Sequence, residues 1–142
     1  MIDKPRDAGF SLIEVLIVAT LIGIIASIAV PTYVSRRISA NEAAIIATIR
    51  NIVNAQFQFH SMSAIDVNRD GAPEYGFINE LTGKVNLRGQ NSTLAPNLIS
   101  LTLSAVGSEG RVLRNGYNLA MFLPGPGGAA LKEIDSNRAL VN

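Results

Sequence analysis

One uncharged stretch limits what this chain can fold into. From Val15 to Ser35, 21 consecutive residues contain no Asp, Glu, Lys or Arg. As an α-helix they would extend roughly 31 Å at about 1.5 Å per residue, which is enough to cross the hydrocarbon core of a bilayer. Apolar residues would surround that helix on all sides, which disfavours the core helix of a soluble protein. The stretch therefore predicts a membrane-spanning helix.

Glu14 stands immediately before this stretch and needs an explanation, because a carboxylate in hydrocarbon is costly. A secretory signal peptide would have a shorter apolar core followed by small residues at a cleavage site, whereas Pro31, Thr32 and Tyr33 occur here. A plain membrane anchor remains open, although it gives the glutamate no role. Basic residues lie on both sides of the stretch, so the positive-inside rule does not decide its orientation.

The residues from Ala8 to Val18, AGFSLIEVLIV, resemble the prepilin signature of type IV pilins and type II secretion pseudopilins. That signature combines a short polar leader, a Gly–Phe junction, a glutamate at fixed spacing and an apolar run. Gly23, Pro31 and Tyr33 lie where such helices commonly carry Gly, Pro and an aromatic residue. The resemblance covers about the first 35 residues closely and extends loosely to about residue 60.

The resemblance implies that residues 1–9 are a leader, and that a membrane prepilin peptidase cuts between Gly9 and Phe10 and N-methylates Phe10. Glu14 of one subunit would then pair with the positive Phe10 amine of a neighbour, because pairing lowers the cost of both buried charges. Alternatively, Glu14 lies at the lipid headgroups and snorkels. The resemblance also implies that the helix loosens between Gly23 and Pro31 in an assembled filament.

Beyond the uncharged stretch, residues 36–62 have an amphipathic helical pattern. Ile38, Ile45, Ile52 and Phe59 recur every seven residues, and no proline follows Pro31 in this region. We therefore predict one helix over residues 10–62, with residues 10–35 forming the membrane or filament core. Residues 63–142 would form a globular head on the amphipathic part.

The stretch from Asp66 to Gly76, DVNRDGAPEYG, begins like an EF-hand calcium loop. Asp66, Asn68 and Asp70 alternate, and Glu74 falls at the ninth position, so these four residues are candidate calcium ligands. The twelfth position is Phe77 instead of the bidentate glutamate that such loops need. A polar turn without metal explains the same residues.

The head carries weaker signals of secondary structure. Residues 75–83 predict a packed turn or a short helix, and residues 99–103 alternate in a way that allows a strand. Residues 111–123 alternate more clearly and predict a strand that ends in the Pro- and Gly-rich loop 123–128. The expected fold is α+β: a long N-terminal hydrophobic helix with a small antiparallel β head packed on its C-terminal half.

Composition excludes several classes of function. The chain has no cysteine, which excludes disulfides, thiol catalysis and cysteine zinc sites. Its net charge of +1 and its lack of a basic run give no footprint for nucleic acid. His60 is the only histidine, and its place near the end of the predicted helix is typical of an ordinary helix-end residue. No pair of carboxylates suggests acid–base catalysis, so we do not expect an enzyme.

The resemblance therefore implies a structural subunit of a type IV pilus or a type II secretion pseudopilus. Its partners would be other subunits, the prepilin peptidase, an inner-membrane assembly platform and, before assembly, membrane lipid. It would begin as a single-pass protein of the bacterial inner membrane and end in a periplasmic pseudopilus or a cell-surface pilus. Alternatives are a minor pilin-like subunit that primes a filament and a single-span membrane protein that does not polymerise.

Overall fold

A computed structural model describes residues 9–104, 110–125 and 128–133. Helix α1 extends over Leu12–Ser61, and a short helix α2 over Ile78–Leu81; a single 3₁₀ turn covers Leu101–Leu103. Four short strands follow: β1 at Arg111–Arg114, β2 at Tyr117–Ala120, β3 at Phe122–Pro124 and β4 at Ala130–Lys132. The chain divides into two compact units, Met1–Ala40 and Asn41–Asn142. The predicted long helix and the α+β class are confirmed.

The described part of the first unit is apolar helix without a core. None of its described side chains is buried, and α1 is long and apolar enough to cross a membrane. The hydroxyls of Thr20, Ser27 and Thr32 donate to helix carbonyls three or four residues earlier, at 2.7–2.9 Å. Such bonds satisfy the polar side chains within the helix, as a segment surrounded by hydrocarbon requires.

The second unit packs its core against the amphipathic part of α1. Ile45, Ile52 and Phe59 are buried there, which confirms the seven-residue pattern from residue 45 onward. Ile38 belongs to the first unit and is half exposed. Gln56 fastens the chain at Gly76 to α1. Its side-chain amide donates to the carbonyl of Gly76 and accepts from the Gly76 N–H.

Two strand predictions in the head were wrong. Residues 101–103 form a 3₁₀ turn instead of a strand, since the hydroxyl of Ser100 accepts from the N–H of Thr102 and caps the turn. The predicted strand at 111–123 is a hairpin of β1 and β2, with Arg111 opposite Ala120. Asn115 and Gly116, with φ of 49° and 82°, form its turn, and this Asn-Gly pair is a hairpin signal that the sequence prediction missed.

The β structure consists of two separate antiparallel pairs among the described residues. β1 pairs with β2, and β3 pairs with β4. Part of the predicted loop at 123–128 belongs to β3, and the N–H of Gly125 donates to the carbonyl of Ala129 as the chain turns into β4. Residues 126 and 127 of that predicted loop lie outside the described residues. Helix α2 confirms the short helix predicted within residues 75–83.

A buried polar cluster stabilises the cysteine-free head. The guanidinium of Arg88 lies 3.2 Å from the Glu80 carboxylate and 3.5 Å from that of Glu74, and all three side chains are almost fully buried. Arg88 also stacks over the Phe77 ring, 5.4 Å from its centroid. The buried carboxylate of Glu133 accepts hydrogen bonds from the first N–H groups of α2, at Ile78 and Asn79. Helix α2 is thus joined to Glu133, which lies 55 positions after Ile78.

We expect the substitution Arg88→Leu to lower the free energy of unfolding by about 3–5 kcal/mol, because it leaves two buried carboxylates without their cation. Denaturant unfolding of the detergent-solubilised protein, followed by circular dichroism, measures the loss. The matched control is Arg50→Leu, which removes an exposed arginine from α1 at similar helix propensity. Equal, small losses in both variants would contradict the role given to the cluster.

Candidate functional sites: the N-terminal segment and the Asp66 loop

The predicted cleavage junction lies just outside helix α1. Gly9 and Phe10 precede the first helical residue, Leu12, and both are exposed; Phe10 is 89% exposed. No other part of the described structure lies within 4 Å of the position that a Gly9 Cβ would take. The bond between the two residues is therefore sterically open to a peptidase. The rest of the predicted leader, residues 1–8, lies outside the described residues.

Glu14 occupies the first turn of α1, and its carboxylate has a partner in its own chain. Its Oε2 accepts from the N–H of Ser11 at 2.9 Å, while its own N–H donates to the Ser11 carbonyl at 3.1 Å. The segment Ser11–Glu14, SLIE, has the spacing of a capping box, a signal that the sequence analysis missed. The carboxylate also lies at the positive end of the helix dipole.

This contact leaves Glu14 able to take a second partner. Oε2 accepts from the Ser11 N–H, and Oε1 has no hydrogen-bond or ion-pair partner among the described residues. A carboxylate can accept more than one bond, so the cap does not prevent it from pairing with a cation. The structure therefore adds a helix-capping role to the pairing role that the resemblance implies.

Gly23 and Pro31 lie farther along α1, which is continuous through both residues. Nothing outside the local helix lies within 4 Å of a Cβ built at Gly23, so its surface is open to a close neighbour. Pro31 has no N–H and leaves the carbonyl four residues earlier without its helical donor. Gly9, Phe10, Glu14, Gly23 and Pro31 thus follow one another along a segment and do not converge on a pocket. Loosening in a filament remains a prediction.

The Asp66 loop is a turn held by its own side chains. Asp66 Oδ2 accepts from the N–H of Gly71 at 3.2 Å, and Asn68 Oδ1 accepts from the N–H of Asp70 at 3.1 Å. Asp70 Oδ1 accepts from the N–H of Ala72 at 2.7 Å. These are Asx-type contacts, which explain the turn without a metal ion.

Glu74 joins this loop to the buried Arg88. Its carboxylate is buried, accepts from the N–H of Val67 and pairs with Arg88. Among the described residues, no three His, Cys, Asp or Glu side chains lie close enough to hold a metal ion together. The alternative of a polar turn accounts for the contacts of Asp66, Asn68 and Asp70, and calcium binding by these residues and Glu74 stays a prediction.

We expect 5 mM calcium, roughly the range of weak extracellular sites, to shift the melting temperature of the purified protein by less than about 1 °C relative to EDTA. The substitution Asp70→Ala should lower that temperature equally with and without calcium, because it removes a turn contact. A saturable rise that Asp70→Ala abolishes would restore the calcium interpretation. Differential scanning calorimetry measures both quantities.

His60 lies near the C-terminal end of α1 and is half-buried. Its ring packs on Tyr75 with the centroids 5.0 Å apart. This contact helps to seat the segment that follows the Asp66 loop on the helix. The geometry agrees with the helix-end interpretation of this residue.

A comparison with protein families points to the same N-terminal segment. Residues 4–30 match the family model described as the prokaryotic N-terminal methylation motif. Over 85 residues the chain is 33% identical to the type IV major pilin protein PilA of Myxococcus xanthus (strain DK1622). The matched part is 60% of this chain and 38% of that protein, so the match spans well under half of the relative's length. No solved structure matches the chain.

Proposed function

We propose that this chain, whose N-terminal segment is that of the type IV pilin and pseudopilin family, is a structural subunit that polymerises through helix α1. One observation carries the proposal. An apolar helix with no buried side chain in its described first unit begins two residues after a Gly9–Phe10 junction. It holds Glu14, the only carboxylate of residues 12–40, in its first turn. Outside a membrane, such a surface requires other copies to cover it.

Cleavage of the leader precedes assembly. A prepilin peptidase removes residues 1–9 on the cytoplasmic side and methylates the new amine of Phe10. The exposed junction at the foot of α1 supports this step, because the peptidase can reach it without unwinding the helix. In this proposal the chain is the substrate of an enzyme.

Assembly follows when the α1 segments leave the lipid and pack together. The positive amine of Phe10 and the carboxylate of Glu14 both lie at apolar depth, and an unpaired charge there costs several kcal/mol. Pairing Glu14 of one subunit with the Phe10 amine of the next therefore selects one axial register. Each contact is head-to-tail and does not close on itself, so repetition produces a helical filament. An inner-membrane platform would supply subunits from the lipid.

The filament is a cell-surface pilus in the first version of this proposal, since the similar Myxococcus xanthus protein is a type IV major pilin. A periplasmic pseudopilus of type II secretion is the second version. A minor subunit that primes a filament and a single-span protein that does not polymerise are the remaining alternatives.

We expect both Glu14→Ala and Glu14→Gln to remain in the inner membrane but to enter sheared filaments at less than a tenth of the wild-type level. Glutamine can still accept from the Ser11 N–H, so it preserves the cap while it removes the charge. Immunoblots of membrane and sheared-filament fractions measure the partition. Glu42→Ala, which removes an exposed glutamate from α1 in the second unit, is the control and should assemble normally.

The glutamine variant separates the two roles of Glu14. If Glu14→Gln assembles normally while Glu14→Ala does not, the residue acts as a cap and the pairing proposal is wrong. If both variants assemble normally, neither role matters for polymerisation.

A further inference from the structure

A polar cavity of about 440 Å³ lies within the second unit, between α1 and the segment that contains the 3₁₀ turn. Asn51, Asn54 and Gln58 line it from α1, and their spacing of three and four residues places them on one face of that helix. Arg114, the last residue of β1, lines it as well. Ligand sites commonly occupy about 300–1,000 Å³, so this cavity is large enough to hold part of a ligand.

The polar groups of this cavity are available to a ligand. The side-chain amides of Asn51, Asn54 and Gln58 have no hydrogen-bond partner within the part of the chain that the structure describes. The guanidinium of Arg114 has no ion-pair partner there either. No Asp or Glu is among the described lining residues, so Arg114 gives the cavity a net positive charge. A ligand that carries a carboxylate is therefore favoured.

Apolar side chains form the floor of the cavity. Ala55, Ile99 and Leu103 are each 6% exposed or less and line the cavity from the core. On the wall formed by the 3₁₀ turn and its cap, the hydroxyls of Ser100 and Thr102 bond to each other at 3.0 Å. A ligand with polar groups along one edge and a small apolar side chain matches this combination.

Helix α1 already binds an extended stretch of its own chain through a carboxamide. Gln56 donates to the Gly76 carbonyl at 2.6 Å and accepts from the Gly76 N–H at 3.1 Å. The next residue, Phe77, has the extended backbone angles φ −72° and ψ 161°. Asn54 and Gln58 each lie two residues from Gln56 and thus roughly on the opposite side of the helix. Side chains of the same chemistry therefore face the cavity.

The spacing of Asn54 and Gln58 matches the repeat of an extended chain. Four residues of α-helix rise about 6 Å, and alternate residues of an extended chain, which present N–H and C=O on the same edge, are about 6.6 Å apart. Each carboxamide has both a donor and an acceptor. The pair can therefore bind two alternate residues of one extended segment, each in the way that Gln56 binds Gly76.

We propose that this cavity binds an extended, acidic peptide segment of a partner protein. Asn54 and Gln58 bind its backbone, Arg114 pairs with a carboxylate, and the apolar floor takes a small side chain. No aromatic ring is among the described lining residues, so the cavity lacks the stacking surface that favours a sugar ring. The proposal concerns the second unit alone and does not rest on polymerisation.

Fluorescence anisotropy of a labelled peptide tests this proposal on the full-length, detergent-solubilised protein. The probe is Val-Asp-Val-Asp-Val, amidated at its C-terminus and carrying an uncharged nitrobenzoxadiazole label; its β-branched residues favour an extended chain. The matched peptide Val-Asn-Val-Asn-Val has the same length and no carboxylate.

Three variants alter the cavity: Asn54→Ala, Gln58→Ala and Arg114→Gln. Asn118→Ala and Arg50→Gln are the controls, since each removes an exposed side chain that does not line the cavity. Circular dichroism of every variant verifies that it has folded, so that a loss of structure is not counted as a loss of binding.

We expect the wild type to bind the acidic peptide saturably, and the neutral peptide about fivefold more weakly, as the loss of an exposed ion pair implies. Arg114→Gln should remove that difference between the peptides. Asn54→Ala and Gln58→Ala should each weaken the binding of both peptides by about threefold to tenfold, because hydrogen bonds to the peptide backbone are lost. Both controls should bind the peptides as the wild type does.

Absence of saturable binding up to about 1 mM peptide overturns the proposal, as does binding that Asn54→Ala and Gln58→Ala leave unchanged. Trigalacturonate is titrated in parallel. If it binds through the same residues and the peptide does not, the occupant is an acidic saccharide and the peptide proposal is wrong. Self-association of the subunit that Gln58→Ala abolishes would make a second copy the occupant and would also contradict it. No filament is needed for these measurements, so their failure is distinguishable from failure of the proposed function.

Discussion

The free-energy cost of placing a carboxylate beside a long uncharged helix is the constraint on which the proposed assembly depends. Glu14 lies in the first turn of α1, directly before 21 residues without charge. The structure shows one device that lowers this cost, the bond from the Ser11 N–H at 2.9 Å. A cap satisfies hydrogen-bonding capacity but does not neutralise charge, so a nearby cation is still favourable. Cleavage at Gly9 would create such a cation at Phe10.

The two units of the chain differ in what can stabilise them. The first has no buried described side chain, and under the proposed function lipid or other copies surround it. The second has an apolar core around Ile52 and Phe59 and is fastened by the Arg88 cluster in place of disulfides. Exposed apolar residues of α1 between Ile46 and Phe57 show that the second unit, too, leaves apolar helix uncovered.

The sequence predicted best where one physical effect dominates. The length of α1 and the burial of Ile45, Ile52 and Phe59 follow from apolar periodicity. Predictions failed where local hydrogen bonds decide the backbone, at the Ser100 cap and at the Asn115–Gly116 turn. The Glu74–Arg88 pair joins residues 14 positions apart, so the spacing within the Asp66 loop gave no sign that Glu74 also pairs with Arg88. The cap formed by Ser11 and Glu14 has the spacing of a capping box and is predictable from the sequence alone.

The central claim is that this chain is processed between Gly9 and Phe10 before it assembles. Intact-mass measurement and N-terminal sequencing of the protein, purified from its native membrane or filament, test that claim most directly. The proposed cleavage and methylation predict a chain that begins at Phe10 and carries one added methyl group. A chain that still begins at Met1, in cells with an active prepilin peptidase, would contradict it and leave an ordinary membrane anchor with a capped helix.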